Sequence, residues 1–150
     1  MDDEAGFTLI EIVCVLAIVG LVAALALPLF PTATSRTRLE GYAYEVASLL
    51  NGDRNVAIRR QTRISAVLSA EAGTVQSGAT GEIVRFPADV AFDAILAKRC
   101  GERPTASTID FFPSGMSCGG TIAISRPGAG FQIRVNWLTG GVEIVPFDKS

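Results

Sequence analysis

The chain has 150 residues, a formal net charge of −2 and no histidine. This length suits one ordinary domain, and the small net charge gives no sign of a nucleic-acid-binding protein. Without histidine the chain lacks the commonest general base and the commonest metal ligand, which excludes Ser–His and Cys–His catalytic arrangements. No other motif indicates a catalytic or metal site, so we expect no enzymatic activity, no metal and no cofactor.

An almost wholly apolar segment begins near the N-terminus and contains one charge. It runs from Phe7 to Phe30, and the charge is Glu11. As a helix it would extend about 36 Å at about 1.5 Å per residue, which exceeds a hydrocarbon core of about 30 Å. An acidic residue at the bilayer centre costs about 2.5–3.5 kcal/mol. The position of Glu11 therefore needs an explanation.

Two ordinary explanations account for part of this segment. Ala24-Leu25-Ala26 would suit cleavage by signal peptidase, which would release a soluble periplasmic domain starting at Leu27. That reading conflicts with the lack of Lys or Arg before the segment and with the glutamate inside it. A plain membrane anchor tolerates a glutamate near the interface, but it leaves Glu11 without a role.

A third explanation uses all of these features together. The stretch "GFTLIE" at 6–11 resembles the processing site of type IV pilins and of the pseudopilins of type II secretion. The resemblance implies that a prepilin peptidase cleaves after Gly6, that the new N-terminal residue Phe7 is methylated, and that Glu11 acts in subunit assembly. The acidic leader "MDDEAG" departs from the family, whose leaders usually carry basic residues.

Elementary electrostatics supports this role for Glu11. Cleavage after Gly6 would create an α-amino group at Phe7, which is largely protonated at neutral pH because its reference pKa is about 7.7–8.0. Residues 7 and 11 are spaced i, i+4 and share one face of a helix. A carboxylate in apolar surroundings is tolerated when it is paired with a cation. The partner of Glu11 would be either the amine of its own Phe7 or that of the next subunit. The family implies the second, which would set the register of a filament.

The sequence after Pro31 changes to an amphipathic helical pattern. Apolar residues recur at helical spacing, which predicts a helix from about 33 to 60, with "NGD" at 51–53 as a weak point around Gly52. Pro28 and Pro31 each lack a backbone donor, and we expect a bend near them in one long N-terminal helix.

From residue 63 onward the period of the pattern changes to two. This predicts an antiparallel sheet over about 63–147 and, with the helix before it, an α+β fold. Residues 87–107 show no clear pattern and are expected to be irregular. In "FQIRVNW" strict alternation places Phe131 and Trp137 on the same buried face. The predicted strands are 63–69, 82–86, 108–112, 121–125, 131–137 and 142–147.

The C-terminal half resembles a narrower group, the H-type minor pseudopilins (GspH) and the FimT-like minor pilins. The similarity rests on "FFPSGMSCGG", on "LTGGVEIV", and on Arg54, Ala57 and Ile58 at the junction of helix and first strand. It implies a pilin-like fold with three parts, which are a prepilin leader at 1–6, a transmembrane and assembly helix at 7–31, and a periplasmic domain at 32–150.

The cysteines and two acidic residues are the remaining candidates for local chemistry. Cys100 and Cys118 follow a membrane-directed segment, which suggests a disulfide in an oxidising compartment, with two free thiols as the alternative. Cys14 is expected to be a small lipid-facing or packing residue. Asp89 and Asp93 flank "VAF" in a loop and could bind a calcium ion, as some pseudopilins do, but a solvated loop is the simpler interpretation.

The resemblance implies a minor pseudopilin of type II secretion near the tip of the pseudopilus. Its partners would be other major and minor pseudopilins, the prepilin peptidase, the inner-membrane assembly platform and, before assembly, inner-membrane lipid. It would cross the inner membrane once, with its C-terminal domain in the periplasm, and no nucleic acid is expected. The nearer alternative is a FimT/FimU-like minor pilin of a type IV pilus, and the more distant one is the soluble periplasmic domain.

Overall fold

The computed structural model describes residues 7–26, 33–105 and 107–148. The chain divides into two compact units, Met1–Ala33 and Thr34–Ser150. The first contains one helix, and the second contains a long helix packed on antiparallel sheets. The α+β class predicted from the sequence is confirmed.

The described part of the first unit is helix α1 (Leu9–Ala26). At its N-terminal end, the N–H groups of Glu11 and Ile12 donate hydrogen bonds to the carbonyl of Thr8. Large apolar side chains along it are exposed, including Leu9 and Leu16. Within the described ranges no helix is both long and apolar enough to cross a membrane. The predicted bend near the two prolines lies outside the described residues.

Helix α2 (Arg36–Arg60) opens the second unit and starts a little later than the predicted 33. Ser35 is the N-cap, because its hydroxyl accepts a hydrogen bond from the N–H of Arg38 at 3.2 Å. Gln61 is the C-cap and adopts a left-handed backbone with φ of 51°. The core-facing side of α2 is buried. Its buried residues are Leu39, Ala43, Val46, Ala47, Leu49, Leu50, Asp53 and Ala57.

The helix predicted from about 33 to 60 is present, and it is not interrupted at 51–53, where the sequence indicated a weak point. Asp53 is 1% exposed, and its carboxylate accepts hydrogen bonds from the hydroxyl of Ser77 and from the N–H groups of Gly78 and Ala79. These bonds satisfy the buried charge and hold the loop after the second strand of the sheet domain. A residue that disfavours helices in isolation therefore stabilises this one through tertiary contacts.

In the described residues after α2 there are ten strands, and all of their pairings are antiparallel. Two four-stranded sheets have the orders β3-β2-β1-β7 and β10-β9-β8-β4, and β5 pairs with β6 in a short hairpin. The strands are β1 (Ile64–Ser69), β2 (Thr74–Gln76), β3 (Ile83–Arg85), β4 (Ala91–Leu96), β5 (Arg99–Cys100), β6 (Arg103–Pro104), β7 (Thr108–Phe111), β8 (Gly120–Arg126), β9 (Ala129–Val135) and β10 (Val142–Phe147).

Every predicted strand is present, but the sequence missed four others. The stretch 87–107 was expected to be irregular and instead contains β4, β5 and β6, while β2 lies in the glycine-bearing region before β3. Trp137 was expected on the buried face of a strand at 131–137. This was wrong, because β9 ends at Val135 and Trp137 is 60% exposed. The alternation of the sequence thus continued past the end of the strand, where the chain turns.

One hydrophobic core lies between α2 and the sheets. Phe111 on β7 and Ile122 and Ile133 on the second sheet are fully buried there. Phe86 adds an aromatic contact, with its ring 5.8 Å from Tyr42 and 5.2 Å from Phe92. Both sheets and the helix therefore share one hydrophobic core.

The loop before β4 is tied to the beginning of the second unit. The Asp89 carboxylate accepts hydrogen bonds from the N–H of Thr34 at 2.6 Å and from its hydroxyl at 3.0 Å. Asp93 is engaged separately, by the N–H of Ala94. The two carboxylates considered as calcium ligands therefore have different partners. The hydrogen bond from the Thr34 backbone is the main cause that lowers the pKa of Asp89.

This lowered pKa predicts a pH-dependent contribution to stability. A depressed carboxylate pKa stabilises the fold above the ordinary aspartate pKa, and the contribution is lost as pH falls through the lowered value in the folded state. We expect the melting temperature of Asp89→Asn to lie below that of the wild type at neutral pH and to converge with it in acid. Thermal unfolding followed by circular dichroism across this range is the measurement. Asp93→Asn is the control, and the same convergence there would contradict the assignment to Asp89.

Candidate functional site

The predicted processing and assembly residues lie at the start of α1. Gly6 is outside the described residues. Phe7 precedes the helix and is 80% exposed, and Glu11 lies in the first turn with an exposed side chain. A carboxylate at this position interacts favourably with the positive end of the helix dipole. Both residues are therefore accessible to a partner from outside their own unit.

Two turns that lie in motifs quoted from the sequence both contact Arg54, which belongs to a third such motif on α2. Its Nε–H donates to the carbonyl of Gly115 at 3.1 Å and to the carbonyl of Thr139 at 3.0 Å. Gly115 belongs to the "PSG" turn, and Thr139 to the "LTGG" turn before β10. We call these contacts the Arg54 clasp. They join α2 to two loops that are distant in sequence, a role that the helical pattern around Arg54 could not reveal.

Gly140 is the tightest position of the clasp. Its φ is +64°, which L side chains rarely adopt, and a Cβ there would overlap the carbonyl oxygen of Gly115 and lie 2.8 Å from Nε of Arg54. The N–H of Gly140 also donates to the carbonyl of Asn136 at 2.8 Å. The glycine is needed both for backbone conformation and for close approach.

A disulfide joins Cys100 on β5 to Cys118 just before β8, with Cα atoms 5.5 Å apart. Asp110 lies beside it, 1% exposed, and forms an ion pair with Arg63. The guanidinium of Arg63 also lies over the ring of Phe112, 5.3 Å from its centre. Sequence reasoning missed this pair, because a single aspartate in a strand carries no signal that its surroundings are buried.

Among the described residues, one group of cysteines and acids is compact enough to hold a metal ion. It consists of Cys100, Asp110 and Cys118, whose sulfur atoms are already bonded to each other. Asp110 is neutralised by Arg63. The two sulfur atoms and Oδ2 of Asp110 are therefore committed to structural contacts. Cys14, by contrast, is exposed on α1 and has a free thiol.

A groove with a volume of 890 Å³ crosses one end of the second sheet. Ile95 and Trp137 border it, and both side chains are exposed. Its charged lining residues, Arg134 and Glu143, form an ion pair at 4.0 Å. Exposed apolar side chains with no cluster of titratable groups suit contact with another protein better than chemistry on a small substrate.

Comparison with known proteins supports the reading of the N-terminus. The prokaryotic N-terminal methylation motif matches residues 1–27. A fimbrial protein of Pseudomonas aeruginosa is 43% identical over 49 residues, which are 33% of this chain and 32% of that protein. Fimbrial protein EcpB of Eikenella corrodens is 42% identical over 48 residues, which are 32% of this chain and 30% of that protein. The match therefore spans about a third of these relatives.

Solved structures support the reading of the whole fold. The minor pseudopilin EpsH of the Vibrio cholerae type II secretion system superposes with a TM-score of 0.59 at 11% identity, covering 77% of this chain and 99% of that one. The chain therefore has a pilin-like fold. The minor pilin FimU of Pseudomonas aeruginosa shares this pilin-like fold, with a TM-score of 0.54 at 18% identity over 75% of this chain and 92% of that one.

Proposed function

We propose that this pilin-like protein is a minor pseudopilin of a type II secretion system. The observation that supports the proposal is the combination of a prepilin-type N-terminus at residues 1–27 with a sheet domain whose fold is shared with EpsH. The protein acts as a structural subunit and not as an enzyme. It serves near the tip of a short periplasmic pseudopilus, alongside other major and minor pseudopilins.

The proposed mechanism is assembly through the N-terminal helix. A prepilin peptidase cleaves after Gly6, Phe7 is methylated, and the apolar segment holds the subunit in inner-membrane lipid until the assembly platform extracts it. In the filament, the exposed apolar side chains of α1 pack against neighbouring helices. Glu11 pairs with the N-terminal amine of the adjacent subunit and sets the axial register, which is a contribution to specificity.

The intact mass and the N-terminal peptide of the protein from native membranes test this proposal. We expect a chain that starts at N-methylated Phe7. A chain that starts at Leu27 would contradict it and would indicate a soluble periplasmic domain released by signal peptidase. An unprocessed chain would also contradict it, because Glu11 would then have no N-terminal amine in register.

A FimT/FimU-like minor pilin of a type IV pilus is the second candidate, favoured by the structural similarity to FimU. Both candidates predict the same processed N-terminus, so the discriminating experiment is deletion of the gene. Loss of protein secretion with normal twitching and transformation supports the pseudopilin. Loss of twitching or transformation with normal secretion supports the minor pilin.

A further inference from the structure

Strand β4 lies at an edge of the second sheet, where it pairs with β8 on one side. On its other side, no strand in the described part of the chain pairs with it. Its inward-facing Phe92 and Ala94 remain partly exposed, whereas Ile122 and Ile124 on β8 are fully buried. The N–H and C=O groups of an open edge are matched in a regular ladder only by another extended backbone.

The other outer strands of the two four-stranded sheets carry features that discourage such pairing. Strand β10 contains Pro146, which has no backbone donor, and β3 spans only Ile83–Arg85. Strand β7 is already engaged on its outer side, where Phe111 bridges Ser117 and the carbonyl of Asp110 accepts a hydrogen bond from the N–H of Cys118 at 3.0 Å. Strand β4 has six residues and no proline, and its one charged side chain is Asp93. Its outward-facing Ile95 is 73% exposed. Among these edges β4 is therefore the best suited to accept an added strand.

Positive charge is concentrated at the C-terminal end of β4. Residues 98–104 form the basic hairpin, in which Lys98, Arg99 and Arg103 are exposed and Glu102 is the single acid. The disulfide from this hairpin to Cys118 ties it to the sheet domain. The N–H of Thr105 also donates to the carbonyl of Lys98 at 3.1 Å. The positive charge is thus held in place beside the open edge.

We propose that the open edge of β4 and the basic hairpin form one docking surface for an extended acidic segment of another protein. The segment adds to the sheet as a strand and hydrogen-bonds to β4 through its backbone. One of its apolar side chains lies against Ile95, and its acidic end meets Lys98 and Arg99. The inference stands on strand geometry and charge, and it goes beyond the proposed role in secretion or in a pilus.

The test uses the full chain in uncharged detergent and a fluorescent synthetic peptide at low salt. The probe alternates valine and threonine and has glutamates at both ends, so that it can pair in either direction. We expect saturable binding by fluorescence anisotropy that weakens with salt. A peptide with lysines in place of the glutamates and a peptide with a fully N-methylated backbone are each expected to bind at least about tenfold more weakly.

Charge-reversal variants locate the site. Lys98→Glu with Arg99→Glu is expected to weaken binding at least about tenfold, because both side chains are exposed and the fold does not depend on them. Arg59→Glu with Arg85→Glu reverses the same amount of charge beside the other sheet and is the matched control. Circular dichroism confirms that each variant is folded.

Several results would overturn the proposal. Equal binding of the N-methylated peptide would show that strand addition is not involved, and equal loss in the matched control would place binding elsewhere. Failure of the acidic probe to bind the folded wild type would show that β4 and the basic hairpin do not form a docking surface for acidic segments. Self-association of the protein that disappears with the Lys98 and Arg99 reversal would identify the occupant as a second copy. None of these results depends on the N-terminal processing that tests the proposed function.

Discussion

Replacement of Glu11 by alanine is expected to lower incorporation into filaments about tenfold or more while leaving the sheet domain folded. Breaking a buried ion pair by removing one partner costs about 3–5 kcal/mol, because the other charge is left uncompensated. In the proposed filament that charge would be the N-terminal amine of the neighbouring subunit, surrounded by apolar helices. The measurement is the amount of protein in sheared or overproduced filaments relative to the amount in membranes.

Two comparisons make the Glu11 result interpretable. Glu45→Ala removes an exposed acid from α2 and is expected to assemble normally. The mass of the N-terminal peptide must show that Glu11→Ala is still cleaved after Gly6, so that a processing defect is separated from an assembly defect. Normal incorporation of a processed Glu11→Ala protein would contradict the pairing mechanism.

Replacement of Gly140 by alanine is expected to lower the free energy of unfolding by about 3 kcal/mol. A left-handed backbone costs an L residue about 1–2 kcal/mol, and an overpacked site costs about 1–3 kcal/mol more. The added Cβ would overlap the carbonyl oxygen of Gly115, which belongs to the backbone and cannot simply rotate away. It would also press against Arg54 and weaken the clasp. Urea unfolding of the full chain in detergent, with the disulfide intact, measures the change.

Gly128 provides a matched control for this prediction. Its φ is +78°, similar in kind to that of Gly140, but a Cβ there would meet no atom within 4 Å. Gly128→Ala should therefore show only the cost of the backbone conformation, about 1–2 kcal/mol. If both variants lose the same stability, close packing in the Arg54 clasp contributes nothing and the argument is wrong.

Local patterns in the sequence account for much of the fold. The apolar stripe of α2 and the alternation in β8 and β9 report burial directly, because neighbouring turns or alternate residues share one face. The prediction of strands from alternation failed where a strand pairs on one side only and its inward-facing residues are only partly buried. Strand β4 is an edge with partly exposed inward residues, so its alternation is weak, and its partner β8 begins at Gly120, well after it in sequence.

The candidate functional residues also fall into a group that local sequence predicts and a group that depends on contacts between distant segments. Residues Gly6, Phe7 and Glu11 lie within one short motif, and their chemistry depends on spacing along a single helix turn. The clasp depends instead on hydrogen bonds from Arg54 to carbonyls 61 and 85 residues away. The motif at the junction of helix and first strand singled out Arg54, but its helical pattern does not show which carbonyls it would contact.

The sequence by itself determined the prepilin-type N-terminus, the α+β class, the long second helix and most strands, because each is encoded in residues close together in the chain. Only the tertiary structure decided that Asp53 anchors a loop, that Asp110 lies paired with Arg63 beside the disulfide, and that β4 presents an open edge next to the basic hairpin. These features arise from contacts between distant segments, and the free energy of such contacts is set by burial and geometry that appear only once the chain has folded.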